Sequence, residues 1–466
     1  MKLFLGVKFV FDSITPLLPE FPDNSVNILD FGAKSDGETL NTEAINKAIE
    51  ACSKLGGGRV VIPAGFWLTG PIVLQDNINL HIESGALVLF TSDFKAYPLR
   101  RVELRNGVSN VILTAPIYAE NVSNIAITGA GIFDGSGHYW RPVKKFKMTE
   151  RQWRELLLSG GVLNEDGGIW WPTETALKGE KRISKLQNNP DASLEDYEEI
   201  RDYLRPRLLN FINCQRILLD GPVFQNSPMW NIHPLLCEEV TIRNITVRNP
   251  WFSQNGDGLD IESCKNVLIE NSTFDVGDDA ICMKSGLNEA GRTIGVPTEN
   301  VHVRNNTVYH GHGGFTIGSE MSGGVKNVLV EDCKFIGTDL GLRFKSVRGR
   351  GGVVEDIYIR NIHMVEIKGD AITIDLYYEV KPGSEDDRVL PVSEETPVIK
   401  DIFMDNITCR GAGNGIFLRG LPEMPLSNIQ LKNVDITAKN GIVCENTENY
   451  LFEQVIVKDK DGNLLF

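Results

Sequence analysis

The sequence predicts an all-β fold, a right-handed parallel β-helix whose short strands stack coil upon coil, and three observations lead there. The first is a phrase that keeps returning: EVTIRN at Val240, NVLIEN at Val267, NVHVRN at Val301, NVLVED at Val328, DIYIRN at Ile357, DIFMDN at Ile402 and NIQLKN at Ile429. Its successive intervals are 27, 34, 27, 29, 45 and 27 residues. The second is composition within the phrase, where β-branched residues alternate with polar ones and Asn, Asp or Gly closes the strand. The third is that Asn244, Asn271, Asn305, Asn361, Asn406 and Asn433 all stand four residues after the first apolar position. Strands of neighbouring coils lie about 4.8 Å apart, so like residues stack on like, and these asparagines are expected to form an amide ladder.

NIAITG at Ile125 and RILLDG at Ile217 carry the repeat backward, and the intervals of 34 and 45 residues mark coils with inserted loops. Cys214, Cys237 and Cys264 each precede the apolar anchor by three residues and are read as a buried stack rather than as disulfides. None of the eight cysteines forms a CxxC pair or shares zinc-finger spacing with histidine. Residues 42–55 space Ala44, Ile45, Ala48, Ile49 and Cys52 as an amphipathic helix, suited to covering the open end of a solenoid. The expected organisation is an N-terminal extension over residues 1–25 and one β-helix over 26–466. An insertion at about 138–207 interrupts it, with Trp140, Trp153, Trp170 and Trp171 and a helical run SLEDYEEIRDYL.

With 47 Lys and Arg against 62 Asp and Glu, the formal charge is -15, which argues against nucleic acid or an anionic membrane as partner. No apolar stretch approaches the roughly 18 residues that span a bilayer. In residues 3–10, LFLGVKFV, Lys8 interrupts the apolar run and no small-residue cleavage site follows. No signal peptide is read, so a cytoplasmic location is expected, with the periplasm or secretion as alternatives. Oligomeric state is not legible.

The chemistry-bearing residues recur at coil spacing. Asp257 stands in NGDGLD and Asp278 with Asp279 in VGDDAICMKSG, and 21 residues separate Asp257 from Asp278, about one coil. Three carboxylates on neighbouring rungs cannot all ionise comfortably, so one stays protonated as a general acid while the others activate water. His312 in HGHGGF comes 34 residues after Asp278, Arg343 and Lys345 in LRFKS 31 and 33 after His312, and Tyr378 in DLYYEV 35 after Arg343. Taken singly, a Gly-Asp-Asp is most often a turn and an Arg-x-Lys a solvated strand face. Their joint recurrence at coil spacing points to a site, and the cationic pair supplies local affinity for a substrate carboxylate on an otherwise acidic protein.

These residues resemble glycoside hydrolase family 28, the polygalacturonases. The four family motifs read here, in order, Asn255-Gly256-Asp257, Gly277-Asp278-Asp279, Gly311-His312-Gly313 and Arg343-Phe344-Lys345, with Tyr378 as the downstream tyrosine. Gly256 replaces the motif's threonine and Phe344 its isoleucine. The resemblance implies a pectin-lyase-like β-helix and an inverting hydrolase without cofactor or metal. It implies Asp278 as general acid, Asp257 and Asp279 as the pair that positions and deprotonates water, and His312 as the residue that tunes the acid. Arg343, Lys345, Tyr378 and Asn255 would bind galacturonate around the scissile bond.

SPMWNIHP at 227–234 and GSEMSGG at 318–324 resemble bacterial exo-acting members, and the insertion is placed to close one end of the cleft. Release of galacturonic acid from the non-reducing end is therefore expected, with Lys284, Glu320, Arg348 and Arg350 lining the closed end. The alternatives are an endo-acting or rhamnogalacturonan-type hydrolase, a Ca²⁺-assisted pectate lyase, and a non-catalytic β-helix that binds polysaccharide.

Overall fold

Every apolar anchor of the repeat pairs in parallel with the next: Ile125 with Ile217, then Val240, Val267, Val301, Val328, Ile357, Ile402 and Ile429. The computed structural model, which describes residues 15–189, 191–380 and 388–466, is a parallel β-helix with 32 strands joined in one sheet. The run at residues 3–10 lies outside the described residues. No described helix is long and apolar enough to cross a membrane.

Each central coil contributes three short strands. One face holds the anchors, as in Glu238–Arg243 and Lys265–Glu270. A second holds Thr246–Arg248, Thr273–Asp275 and Thr307–His310. The third is built from Leu209–Ile212, Ile232–Leu235, Leu259–Glu262, Ile281–Lys284, Gly313–Gly318, Leu340–Lys345 and Asp370–Asp375, and it carries the site. Inward residues of all three faces stack into one continuous apolar core, in which Phe133 lies between Phe90 and Phe224 with ring centroids 6.5 and 5.5 Å apart.

The asparagine ladder exists, in short runs. Asn305 Nδ2 donates to Asn271 Oδ1 at 2.7 Å, Asn406 to Asn361 at 2.8 Å, and Asn361 to Asp332 at 2.9 Å. All six ladder asparagines have positive φ, between 52° and 57°, a turn conformation that asparagine tolerates better than most residues. A second ladder, Asn327 to Asn300 to Asn266, runs one residue before the anchors, at 2.6 and 2.9 Å. Its sequence signal is the Asn-Val dipeptide that opens the phrases at Val267, Val301 and Val328. The cysteine stack is present too: all eight cysteines are free, and Cys214, Cys237 and Cys264 are buried.

Helix Thr42–Lys54 caps the N-terminal end and buries Ile45, Ala48, Ile49 and Cys52. The insertion leaves the solenoid after Ile132–Asp134 and rejoins it at Leu209–Ile212. It contains helices Glu150–Leu158 and Glu174–Gln187 and a three-stranded antiparallel sheet. The run expected as one helix splits into Leu194–Glu198 and a 3-10 turn Arg201–Leu204, with Ile200 between them fully buried. Trp153 and Trp170 form a small core with Val143, and Phe252 of the solenoid packs against it. Buried Arg141 bonds the Ser227 carbonyl and, at 2.9 Å, Asn226 Oδ1, tying the start of the insertion down.

Candidate active site

Parallel register lines up the functional side chains along the third face. Gly258 N donates to Asp279 O at 2.9 Å, so the residue directly above Asp257 is Asp279, with Asp278 beside it in the turn. Oxygens of Asp257, Asp278 and Asp279 all lie within 4.8 Å of one another. Two glycines beside these carboxylates stand where the surrounding atoms leave no room for a side chain. A Cβ on Gly256 would stand 1.8 Å from Ser253 Oγ, and one on Gly313 would stand 2.2 Å from Thr316 Oγ1 and 3.1 Å from Asp279 Oδ1. The glycine that departs from the family motif is thus matched to a serine three residues upstream.

The three carboxylates differ in surroundings. Asp279 is fully buried, and Lys345 Nζ lies 2.7 Å from its Oδ2 while Arg343 Nη1 and Thr316 Oγ1 lie 3.1 Å from its Oδ1. Burial alone would raise its pKa, but the charges of Lys345 and Arg343 hold it well below the usual carboxylate range. Asp257 is also buried, its Oδ1 has no hydrogen-bond partner among the described residues, and burial together with repulsion from Asp278 pushes its pKa well up. Asp278 is the most exposed of the three. Burial opposes its ionisation, yet the hydrogen bond from His312, whose Nδ1 lies 3.0 Å from Oδ1, keeps its pKa low. The expectation that one member keeps its proton therefore falls, in the free protein, on Asp257, whereas the resemblance implies Asp278 as donor.

This trio is a group of acidic residues close enough to hold a cation. Both oxygens of Asp279, however, already face fixed positive charge from Lys345 and Arg343, which a metal would have to displace. The donor set fits proton chemistry better than metal ligation.

Arg343, Lys345 and Tyr378 come together as the sequence predicts: the Tyr378 ring centroid lies 5.5 Å from the Arg343 guanidinium carbon and 4.8 Å from Lys345 Nζ. Such a cationic shelf beside the acids is placed to receive a substrate carboxylate. Asn255, in a left-handed turn at φ 53°, accepts from Arg205 Nη2 at 2.9 Å. Lys284 is buried and pairs with Glu320 at 2.8 Å and Asp260 at 3.6 Å. Against burial, those carboxylates raise the Lys284 pKa, while Lys284 in turn brings Glu320 down to about 2. Arg350 sits farther out on Asn288 Oδ1 at 2.6 Å, and Arg348 is held by Glu423 at 2.7 Å.

Several neighbours escaped the sequence reading. Trp230 carries Lys284 Nζ at 4.7 Å and the Arg207 guanidinium at 5.0 Å from its ring centroid. Buried His233 donates from Nε2 to Glu262 at 2.7 Å, with Asn210 Nδ2 3.0 Å from Nδ1; burial lowers its pKa, consistent with a neutral ring. Trp230 and His233 lie in SPMWNIHP and Asp260 in NGDGLD, so their signal was present in phrases already singled out. Arg205, Arg207 and Lys147 come from the insertion, where no period marks them.

A β-helix whose one face gathers three carboxylates against a lysine, an arginine and a tyrosine belongs to the class of carbohydrate-cleaving enzymes. The sequence profile of Glycosyl hydrolases family 28 matches residues 143–454, and the chain belongs to that family. Residues 25–92 match the profile Rhamnogalacturonase A/epimerase, pectate lyase-like. A hyperthermoactive exopolygalacturonase from Thermotoga maritima superposes with a TM-score of 0.79 at 33% identity, covering 96% of each chain. An exo-poly-alpha-D-galacturonosidase of Dickeya chrysanthemi is 28% identical over 78% of this chain and 58% of its own length. An endo-polygalacturonase of Pectobacterium carotovorum subsp. carotovorum is 28% identical over 94% of this chain and 92% of its own.

Proposed function

We propose that this chain hydrolyses the α-1,4-galacturonosyl linkages of polygalacturonan, removing galacturonic acid from the non-reducing end. The observation that carries the reading is the shelf of Arg343, Lys345 and Tyr378 pressed against the carboxylate trio, which sets a carboxylate-bearing sugar beside the acids. Asp278, the most exposed acid, donates the proton to the glycosidic oxygen. Asp257 and Asp279 hold the attacking water on the other face of the ring, and Asp257, with the higher pKa, is the stronger base once ionised. Its proton reaches Asp278 by a short transfer inside a cluster whose oxygens lie within 4.8 Å.

Exo attack is supported by the insertion, which brings Lys147, Arg205 and Arg207 to the catalytic face, and by the close fit to the Thermotoga exopolygalacturonase. The test is a time course on oligogalacturonides of defined length. Monomer as the first product supports the proposal. Mixed oligomers would indicate endo attack, and an unsaturated product absorbing in the ultraviolet would indicate a lyase.

A further inference from the structure

We infer that Lys147, delivered by the insertion, is a positioning residue that fixes His312 as the neutral Nδ1–H tautomer and thereby assigns the transferable proton of Asp278 to Oδ2. Lys147 closes a 3-10 turn, Lys145–Lys147, directly after strand Val143–Lys144, which pairs antiparallel with Ile169–Trp171. That strand is anchored by Val143, Trp153 and Trp170 with Phe252 of the solenoid against them, so the lysine's position is set by packing and not by a free loop. Its Nζ lies 3.4 Å from His312 Nε2.

A lysine ammonium has three donors and no acceptor. Facing it, Nε2 must offer its lone pair, so the ring proton sits on Nδ1 and points at Asp278 Oδ1, 3.0 Å away. The same Oδ1 accepts from the backbone N–H of Asp279 at 3.0 Å. With two donors on Oδ1, the proton of the acid form resides on Oδ2. The other charges around this pair are Asp339, 3.8 Å from His312 Nε2 and itself bound to Lys368 at 2.8 Å, and Lys144 near Lys147. Asp339 alone would favour a proton on Nε2. Lys147, closer to the ring, opposes it.

This inference rests on Asp278 as proton donor, and the experiment separates the two. The protein has seven histidines, so a ¹⁵N-imidazole spectrum of the full chain is tractable, with His312→Asn identifying the resonances. Wild type should show His312 as Nδ1–H; Lys147→Met should shift it toward the Nε2–H form or the imidazolium, and Lys147→Arg should restore it. On trigalacturonate, Lys147→Met should lower kcat about tenfold with KM nearly unchanged. In a His312→Ala background it should cost nothing further. Unchanged imidazole resonances, an equal loss in the His312→Ala background, or a rise in KM alone would each overturn the proposal. If wild type fails to cleave polygalacturonate, the proposed function falls while the spectrum still decides the role of Lys147.

Discussion

Lys345 Nζ lies 2.7 Å from Asp279 Oδ2, an ion pair in which both side chains are almost entirely withdrawn from water. The pair anchors the carboxylate trio and keeps Asp279 ionised. Breaking such a pair leaves an uncompensated charge at a cost of about 3–5 kcal/mol. Arg343, 3.1 Å from the same carboxylate, offsets part of that loss. Lys345→Met is therefore expected to lower the melting temperature and abolish tight binding of oligogalacturonide. In a double-mutant cycle with Asp279→Asn, the second change should recover stability. Simple additivity of the two losses would show that the pair is energetically idle.

Asp278→Asn keeps the shape of the side chain proposed as general acid and removes its proton. The expected result is a fall in kcat of about 10²-fold or more with the fold intact by circular dichroism. An aryl α-galacturonide whose leaving group needs no protonation should recover much of the rate. A loss below about tenfold on polygalacturonate would take the acid role from Asp278.

Stereochemistry tests the division of labour between the other two acids. Inverting glycosidases usually separate their carboxyl groups by about 6.5–9.5 Å and retaining ones by about 5–5.5 Å. In the trio one oxygen of each carboxylate lies within 4.8 Å of one on each of the others, a nearest-atom distance that does not translate directly into either separation. Distance alone does not decide the outcome; the surroundings of Asp279 do. Both its oxygens are engaged by Lys345, Arg343 and Thr316, which makes it a poor nucleophile and a good anchor for water. The first product seen by proton NMR should therefore be β-galacturonic acid. Early α-anomer would point to a covalent intermediate on one of these aspartates.

The solenoid and the line of site residues were legible in the sequence for the same reason. In-register parallel pairing turns spacing along the chain into stacking in space, so Val240, Val267 and Val301 pair, and Thr316 stands next to Arg343 in the ladder. Tyr378 was reachable by counting coils, although the loop that carries it is one of the irregular intervals. Lys147, Arg205 and Arg207 were not reachable. Their places depend on how the insertion packs on the solenoid, as where Phe252 meets Val143 and Trp170 and where Arg205 meets Asn255, tertiary contacts that have no period. The proton's place in the free protein was also hidden, because it depends on which acids have cations within contact, and among the described residues Asp257 has none as near as Lys345 is to Asp279.

Asp257 should reveal a conflict between function and stability. Its folded-state pKa is raised well above the ordinary value, first by burial and then by the negative charge of Asp278. A raised carboxyl pKa means that the folded state holds the proton more tightly than the unfolded chain, so its contribution to stability is fully present below about pH 4. It is lost as pH rises through the folded value. Asp257→Asn removes the group that titrates and keeps its size. At pH 7 the variant should be inactive yet melt at a higher temperature than wild type. The gap between their melting temperatures should narrow as pH falls toward 4. A variant that is less stable than wild type at pH 7, or a gap that does not change with pH, would mean that Asp257 is ionised and satisfied in the free protein, and the proton would then have to reside on Asp278 from the start.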